Sequence, residues 1–400
     1  MTNPTRPTYI RRTGRIHNLI EAAGTAVLIR PEGANMPAPR PPLDFFGSIA
    51  RIHRWKLTLI GVVLALVATA CGGGGDSRPE VVADSELPSA AKTDGQVVWY
   101  SSLPEQYSKV IADAFTAKYG VPVDLFVTGS LGLQNKIAEE IKANKLAADV
   151  FHSSYPPSFV QLKSQGLLAS YDSPEYPAYP PEYVDPDKTY GTFRATAVVI
   201  AYNPTALDGR PAPKAWQDLA NPEYRGMIAA ADPKYGGTQL IADHLLTQKY
   251  GDEILRQIGA QQPQLVDSQS AEANLIITGE RAIGMDMNDY EAWASKYNKK
   301  APIEYVYPED HVTVVPGYVG ILEGAPHPNA ARLLQNFLLS AEAQQLVQDK
   351  VGAYSTRKDA KPIEGRPAFS SLPVSQANWE EVGQDTTEIQ DKLSSLMHQS

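Results

Sequence analysis

Between residues 96 and 166, short apolar runs alternate with segments of helical period, and this alternation decides the class of fold. Residues 96–100 (QVVWY) read as a buried strand, after which Tyr107, Val110, Ile111, Ala114 and Phe115 recur at helical spacing until Gly120. Residues 121–127 read as a second strand. Residues 132–144 follow as a helix with Leu133, Ile137 and Ile141 on one face, then a strand over 148–151 and a helix over 156–165 closed by Gly166. A strand–helix repeat of this kind requires a parallel sheet covered by helices, hence an α/β fold.

The pattern pauses at residues 171–190, rich in Tyr and Pro and without period, which read as a surface loop. It then restarts: a strand over 195–202, a short helix over 216–219, a strand over 227–231, helices over 238–250, 252–260 and 270–278, and a strand over 282–287. A further apolar run spans 312–322. Residues 328–339 form an amphipathic helix and 341–351 continue helically, while 360–380 are loop-like and Ile389, Leu393 and Leu396 mark a last helix. The result is two α/β units of comparable size.

Ahead of these units lies residues 51–76, RIHRWKLTLIGVVLALVATACGGGGD, which holds the only cysteine of the chain. Arg51, Arg54 and Lys56 precede an apolar run over 57–70 that is short for a membrane span of about 20 residues, and small residues lead into Cys71. That is the layout of a signal peptide. The string VATAC resembles a bacterial lipobox, which implies cleavage before Cys71 and lipidation of its sulfur. Residues 1–50 show no periodic apolar face, and Met36 offers a later start that leaves 1–35 untranslated. Residues 71–94, with four glycines and two prolines, read as a flexible tether.

Nine of the 36 basic and three of the 45 acidic residues precede Cys71, so the remainder has 27 and 42, a formal charge of −15. Such a surface repels nucleic acid and anionic lipid. With no second cysteine, the folded part relies on its core and not on disulfides. No HExxH, GK[ST] phosphate loop or GxSxG elbow occurs, so catalysis is not indicated. An enzyme on this scaffold would need a base beside Ser130 or Ser154, and the sequence supplies none.

What recurs is small polar residues just past strand ends, each group opening a helix: Ser101 and Ser102; Thr128, Gly129 and Ser130; Ser153, Ser154 and Tyr155. Ligands of open α/β sheets bind outside those strand ends, where helix N-termini favour an anion. The second unit offers Asp232, Tyr235, Gly236, Gly237 and Thr238 after one strand, and Asp286, Asn288, Asp289 and Tyr290 around another. Taken singly, these serines and threonines are ordinary helix caps; taken together they outline a cleft.

The ordered strings VVWYSS, ADVFHSS, SQGLLASY, VVIAYNP, PKAWQDLANPEYRGMIAAADP, GERAIGMDMNDY and VVPGYVGILEGAPHPNAARLLQNFLLS resemble extracellular solute-binding proteins of ABC importers. The branch is the one similar to ferric-iron, thiamine, sugar-phosphate and aminoethylphosphonate binders, over about residues 94–358. The resemblance implies a type II periplasmic-binding-protein fold, two α/β lobes joined by crossing strands with a ligand cleft between them. It implies lobe 1 over 95–192, lobe 2 over 193–311, a return to lobe 1 over 312–335, and C-terminal helices over 336–400 packing mainly on lobe 2. Crossings are expected near Thr192 to Arg194, near His311 to Val314 and near the helix opened by Pro328, with Arg194 a further ligand residue.

It also implies a monomer in the cell envelope that hands a small solute to a membrane permease and uses no cofactor. Iron binders of the branch place histidine, glutamate and two tyrosines where this chain has Pro104, Ser154 and the pair Tyr290 and Glu291. One donor of the iron set is thus retained, Tyr290, and the Ser/Thr/Gly loops favour an organic phosphate or phosphonate over ferric iron or thiamine.

Overall fold

The computed structural model describes residues 82–372 and 377–398, so the expected signal segment, the lipobox-like string and Cys71 lie outside the described residues. The first element corrects the reading of 71–94 as a tether throughout. Residues Leu87–Asp94 form helix α1, with Leu87 and Ala91 buried in the core. Their burial holds α1 in place, and Asp94 does more. Its carboxylate accepts the backbone N–H groups of Asn329 and Ala330 at 2.8 and 2.9 Å, capping from a distance the helix α9 described below.

Strands β1 (Val97–Ser101), β2 (Val123–Val127) and β3 (Val150–Ser153) then alternate with helices α2 (Glu105–Tyr119), α3 (Ser130–Lys142) and α4 (Pro156–Ser164), as the apolar periodicity requires. Alternate residues of β1 serve opposite faces: Val97 and Trp99 pack with Phe115 and Phe337, Val98 and Tyr100 with Phe151 and Phe159. The Tyr/Pro-rich segment is more than a surface loop. It buries Tyr176 and Tyr179 in the first core, and the Tyr179 hydroxyl donates to the Leu339 carbonyl at 2.8 Å.

The chain leaves this lobe along β4 (Tyr190–Tyr202), a strand of 13 residues buried over nearly its whole length. The second lobe follows: β5 (Ile228–Ala231), α5 (Gly237–Tyr250), α6 (Glu253–Gly259), β6 (Gln264–Val266), α7 (Gln269–Thr278), β7 (Ile283–Asn288), α8 (Asp289–Trp293) and β8 (Glu304–Val306). The chain returns on β9 (Val314–Ile321) and ends in α9 (Pro328–Leu339), α10 (Ala341–Leu346), α11 (Trp379–Gln384) and α12 (Thr386–Met397).

The strand order is β2-β1-β3-β9-β4-β7-β5-β6, with β8 also on β4. Divided at β4, it repeats itself. In β2-β1-β3-β9-β4 the first three strands are parallel and the last two antiparallel, and β6-β5-β7-β4-β8 has the same arrangement. Residues Tyr190 to Ala197 of β4 pair with β9 and Val198 to Tyr202 with β7 or β8, so a single strand belongs to both lobes.

No crossing occurs at Pro328. Helix α9 buries Leu334, Phe337 and Leu338 in the first core, which also takes Val347 and Val351. Of the segment 336–400, α11 and α12 join the second core, through Val382, Ile389, Leu393 and Leu396. The expected packing of that whole segment on lobe 2 is thereby divided between the lobes.

Candidate functional site

The carboxyl ends of β1, β2, β3, β5, β6 and β7 open on one cavity of about 280 Å³, as parallel strands of two facing lobes require. The first lobe contributes Ser102 and Pro104 after β1, Val127, Thr128, Gly129 and Ser130 at the end of β2, and Ser154 after β3. The second contributes Ala231, Tyr235, Gly236, Gly237, Thr238 and Gln239 around the start of α5, Asp267 to Ser270 around the start of α7, and Asn288 and Tyr290.

Helices α3, α5 and α7 begin at the cavity, and the N-cap residues of α2 and α8, Pro104 and Asn288, line it as well. The N-cap residues of α3 and α5, Gly129 and Gly236, have no side chain to cap with, so the first-turn amides of both helices are free of an N-cap bond. Helix α7 is capped by Ser268, whose hydroxyl accepts the Ala271 N–H at 3.3 Å. Neutral polar side chains make up most of the wall. Ser154 Oγ lies 3.3 Å from Ser102 Oγ and 3.1 Å from Ser130 Oγ, and the Ser154 N–H donates to Ser102 Oγ at 3.0 Å. Opposite, Gln239 donates to Asn288 Oδ1 at 3.1 Å, and Asn288 Nδ2 donates to the Tyr290 hydroxyl at 3.2 Å. Burial pushes the Tyr290 phenol up to about 12, so it is a neutral hydroxyl and not a tyrosinate.

The lobes touch beside the cavity. A methyl group on Gly129 would lie 2.8 Å from the Tyr235 carbonyl oxygen, and one on Gly237 would lie 2.7 Å from Tyr155 Cβ and 3.1 Å from Ser130 Cβ. Leu131 and Tyr155 of the first lobe are also part of the second-lobe core. Glycine is required at these two points by close approach rather than by backbone angle.

Seven of the residues singled out from sequence stand outside the cavity lining. Ser101 is buried and bonded to Ser108 and His152 at 3.0 Å each, and Ser153 Oγ accepts the Tyr155 N–H. The Tyr155 hydroxyl is 2.6 Å from Thr386 Oγ1, tying α4 to α12. Arg194 lies behind Tyr290, with its guanidinium carbon 5.1 Å from that ring's centre. Asp232 is a turn acid that accepts the Lys234 N–H at 2.9 Å. Asp289 forms a fully buried ion pair with Arg366.

Asp286 is the seventh. Its Oδ1 accepts the Ala231 N–H at 3.0 Å, and it belongs to a buried carboxyl trio with Asp243 and Glu272. As carboxylates, both oxygens of Asp243, Oε1 of Glu272 and Oδ2 of Asp286 accept from no donor, and Glu272 and Asp286 lie close enough to share a proton. Burial pushes Asp286 up to about 7, and burial together with Asp286 itself holds Asp243 and Glu272 well above the usual carboxylate range. The trio therefore holds protons.

Glu291, in the second tyrosine place of the iron binders, points elsewhere: it accepts the Tyr107 hydroxyl at 3.0 Å and pairs with Lys299 at 3.3 Å. Among the described residues no group of three or more His, Cys, Asp or Glu is placed to hold a metal ion. A larger cavity, about 440 Å³, lies on the first lobe among Tyr183, Tyr354, Arg357 and Phe369, away from the strand ends and helix N-termini.

Sequence reasoning missed Gln239 and the whole stretch from Asp267 to Ser270. The latter follows β6, only three residues long and half-exposed, too weak a pattern to read as a strand. Its Ser268 cap ahead of a helix was the available signal.

A family model described as bacterial extracellular solute-binding protein matches residues 146–383. A putative 2-aminoethylphosphonate-binding periplasmic protein of Salmonella typhi is 23% identical over 302 residues, 72% of this chain and 85% of that one. An Fe(3+)-binding periplasmic protein of Serratia marcescens is 32% identical over 160 residues, 40% of this chain and 46% of that one. Among solved structures, the periplasmic binding protein AfuA from Actinobacillus pleuropneumoniae, with exogenous fructose-6-phosphate bound, is similar with a TM-score of 0.69 and 25% identity, covering 76% of this chain and 99% of that one. Iron-bound HitA from Pseudomonas aeruginosa is similar with a TM-score of 0.65 and 21% identity, covering 74% and 99%. The shared fold is the type II periplasmic-binding-protein fold.

Proposed function

Because the chain belongs to the bacterial extracellular solute-binding protein family and is the substrate-binding component of an ABC transporter, we propose that its solute is a small organic phosphate or phosphonate, captured between the lobes by its anionic group. The observation that carries this is the cavity at which α3, α5 and α7 begin, with first-turn amides and the hydroxyls of Ser102, Thr128, Ser130, Ser154 and Thr238 around it. Helix N-termini and neutral donors hold an oxyanion without any lysine or arginine in the lining. The same chemistry is poor for ferric iron, which needs several hard anionic ligands; here Asp267 is the single carboxylate of the lining. The putative 2-aminoethylphosphonate-binding relative and AfuA with fructose-6-phosphate bound support the same choice, and the Fe(3+)-binding relative and iron-bound HitA support the alternative.

The reading includes a monomer that hands its solute to a permease, works in the periplasm or cell envelope, is tethered through a lipidated Cys71 and performs no chemistry. Thermal shift against fructose 6-phosphate, 2-aminoethylphosphonate, thiamine phosphate and ferric citrate tests the ligand class. A ligand at a hundred times its dissociation constant adds about 2.7 kcal/mol, which raises the melting temperature by about 5 °C. A shift from a phosphorylated compound, with the compound recovered unchanged, is the expected result. A shift from ferric citrate alone would return the assignment to iron, and turnover of a bound phosphate ester would make the protein an enzyme.

A further inference from the structure

We propose that Arg194 is a positioning residue for the captured anion, the ligand's buried counter-charge, acting through the ring and hydroxyl of Tyr290. The inference rests on the anionic reading of the ligand. Arg194 sits where β4 passes between the lobes and is 1% exposed. A buried charge is ordinarily paired, yet Asp289, the carboxylate that acts on it electrostatically, is already committed to Arg366 in an ion pair of its own. Among its polar contacts Arg194 donates to Thr196 Oγ1, and its Nε has no partner. His152 brings no negative charge: burial and Arg194 hold it neutral.

What the guanidinium does face is the ring of Tyr290, 5.1 Å from its centre. A cation over a phenol ring is attracted to its electron-rich face, and by drawing density from the ring it makes the hydroxyl a stronger donor. Tyr290 lines the cavity, and because its hydroxyl accepts from Asn288 Nδ2, the hydroxyl's own proton is left to donate to a guest. An anion taken up there receives that bond and at the same time supplies the negative charge that Arg194 lacks.

Two properties follow that a merely structural arginine does not have: removing the charge relieves the ligand-free protein, and it harms binding only while the Tyr290 hydroxyl is present. The test is a double-mutant cycle of Arg194→Met and Tyr290→Phe, with Arg194→Lys as the charge-retaining variant. Affinities for fructose 6-phosphate and 2-aminoethylphosphonate are measured by calorimetry, and ligand-free melting temperatures alongside. We expect Arg194→Met to weaken the tighter of the two probes about tenfold, the size of one charge-assisted hydrogen bond. In the Tyr290→Phe background the same change should cost less than about twofold, Arg194→Lys should recover most of the loss, and the ligand-free melting temperature of Arg194→Met should equal or exceed that of the wild type. Equal losses in both backgrounds, or an Arg194→Met protein that melts early or does not fold, would overturn the proposal while leaving the ligand class standing. A wild-type protein that binds neither probe would overturn the ligand class, and this inference with it.

Discussion

Gly237→Ala should prevent the lobes from closing on a ligand while leaving each lobe intact. The added methyl would lie 2.7 Å from Tyr155 Cβ and 3.1 Å from Ser130 Cβ, both on the opposite lobe. Overpacking of this kind costs about 1–3 kcal/mol, and the cost falls on the closed state alone, because opening removes the contact. At 1.4 kcal/mol per decade the dissociation constant should rise about 5- to 150-fold. The backbone does not object: Gly237 opens α5 and is not among the glycines with positive φ, so alanine suits the helix at least as well. Calorimetry with the tightest phosphorylated ligand measures the loss. Small-angle scattering measures the closure, which should show ligand-dependent compaction in the wild type and less of it in the variant. Wild-type affinity and full compaction in Gly237→Ala would refute the reasoning, because they would mean that the lobes do not meet at this point when ligand is bound.

Asp94→Ala removes the carboxylate that caps α9 and should cost about 1 kcal/mol in urea denaturation, within the usual range for a lost N-cap; no change would mean that α9 does not depend on this cap. The carboxyl trio gives a pH signature. Asp286 is raised from 3.8 to about 7, so between those values the folded protein binds more protons than the unfolded chain, and the contribution present at acid pH is lost as pH rises through about 7. Melting temperatures from pH 4 to 8 should fall less steeply in Asp286→Asn than in the wild type; identical slopes would mean that the group titrates normally. Cys71→Ser should abolish lipid labelling and release the protein from membranes, and a variant that still partitions into detergent after processing would remove the anchor.

The α/β class and the cleft were legible because β1 to α4 bring their apolar periodicity and their helix stops in one uninterrupted stretch. Thr128, Ser130, Ser154 and the loop from Tyr235 to Thr238 were legible for a topological reason: parallel strands place all their carboxyl ends on one side, so a polar residue after a strand is positioned before any contact is known. Ser101 and Ser153 illustrate the limit of that reasoning. They are the last residues of β1 and β3, one position too early, and the pleat turns them into the interior, where they hydrogen-bond to His152 and to the backbone. Asp286 and Asp289 read in sequence as residues of the cleft, and only tertiary packing shows the first buried among carboxyls and the second paired with Arg366, 77 residues away. Helix α1 was missed because two buried apolar residues, Leu87 and Ala91, are too few for a periodic signal, and its stability comes from docking on α9.

The central claim is that an oxyanion is held at the helix N-termini between the lobes, and a crystal structure with the tightest phosphorylated ligand tests it most directly. The account predicts phosphoryl oxygens within hydrogen-bonding distance of first-turn amides of α3 and α5, with the Tyr290 hydroxyl donating to the same group. A ligand seated instead among Tyr183, Tyr354 and Arg357 on the first lobe, or a metal ion on Tyr290 with Asp267, would contradict it.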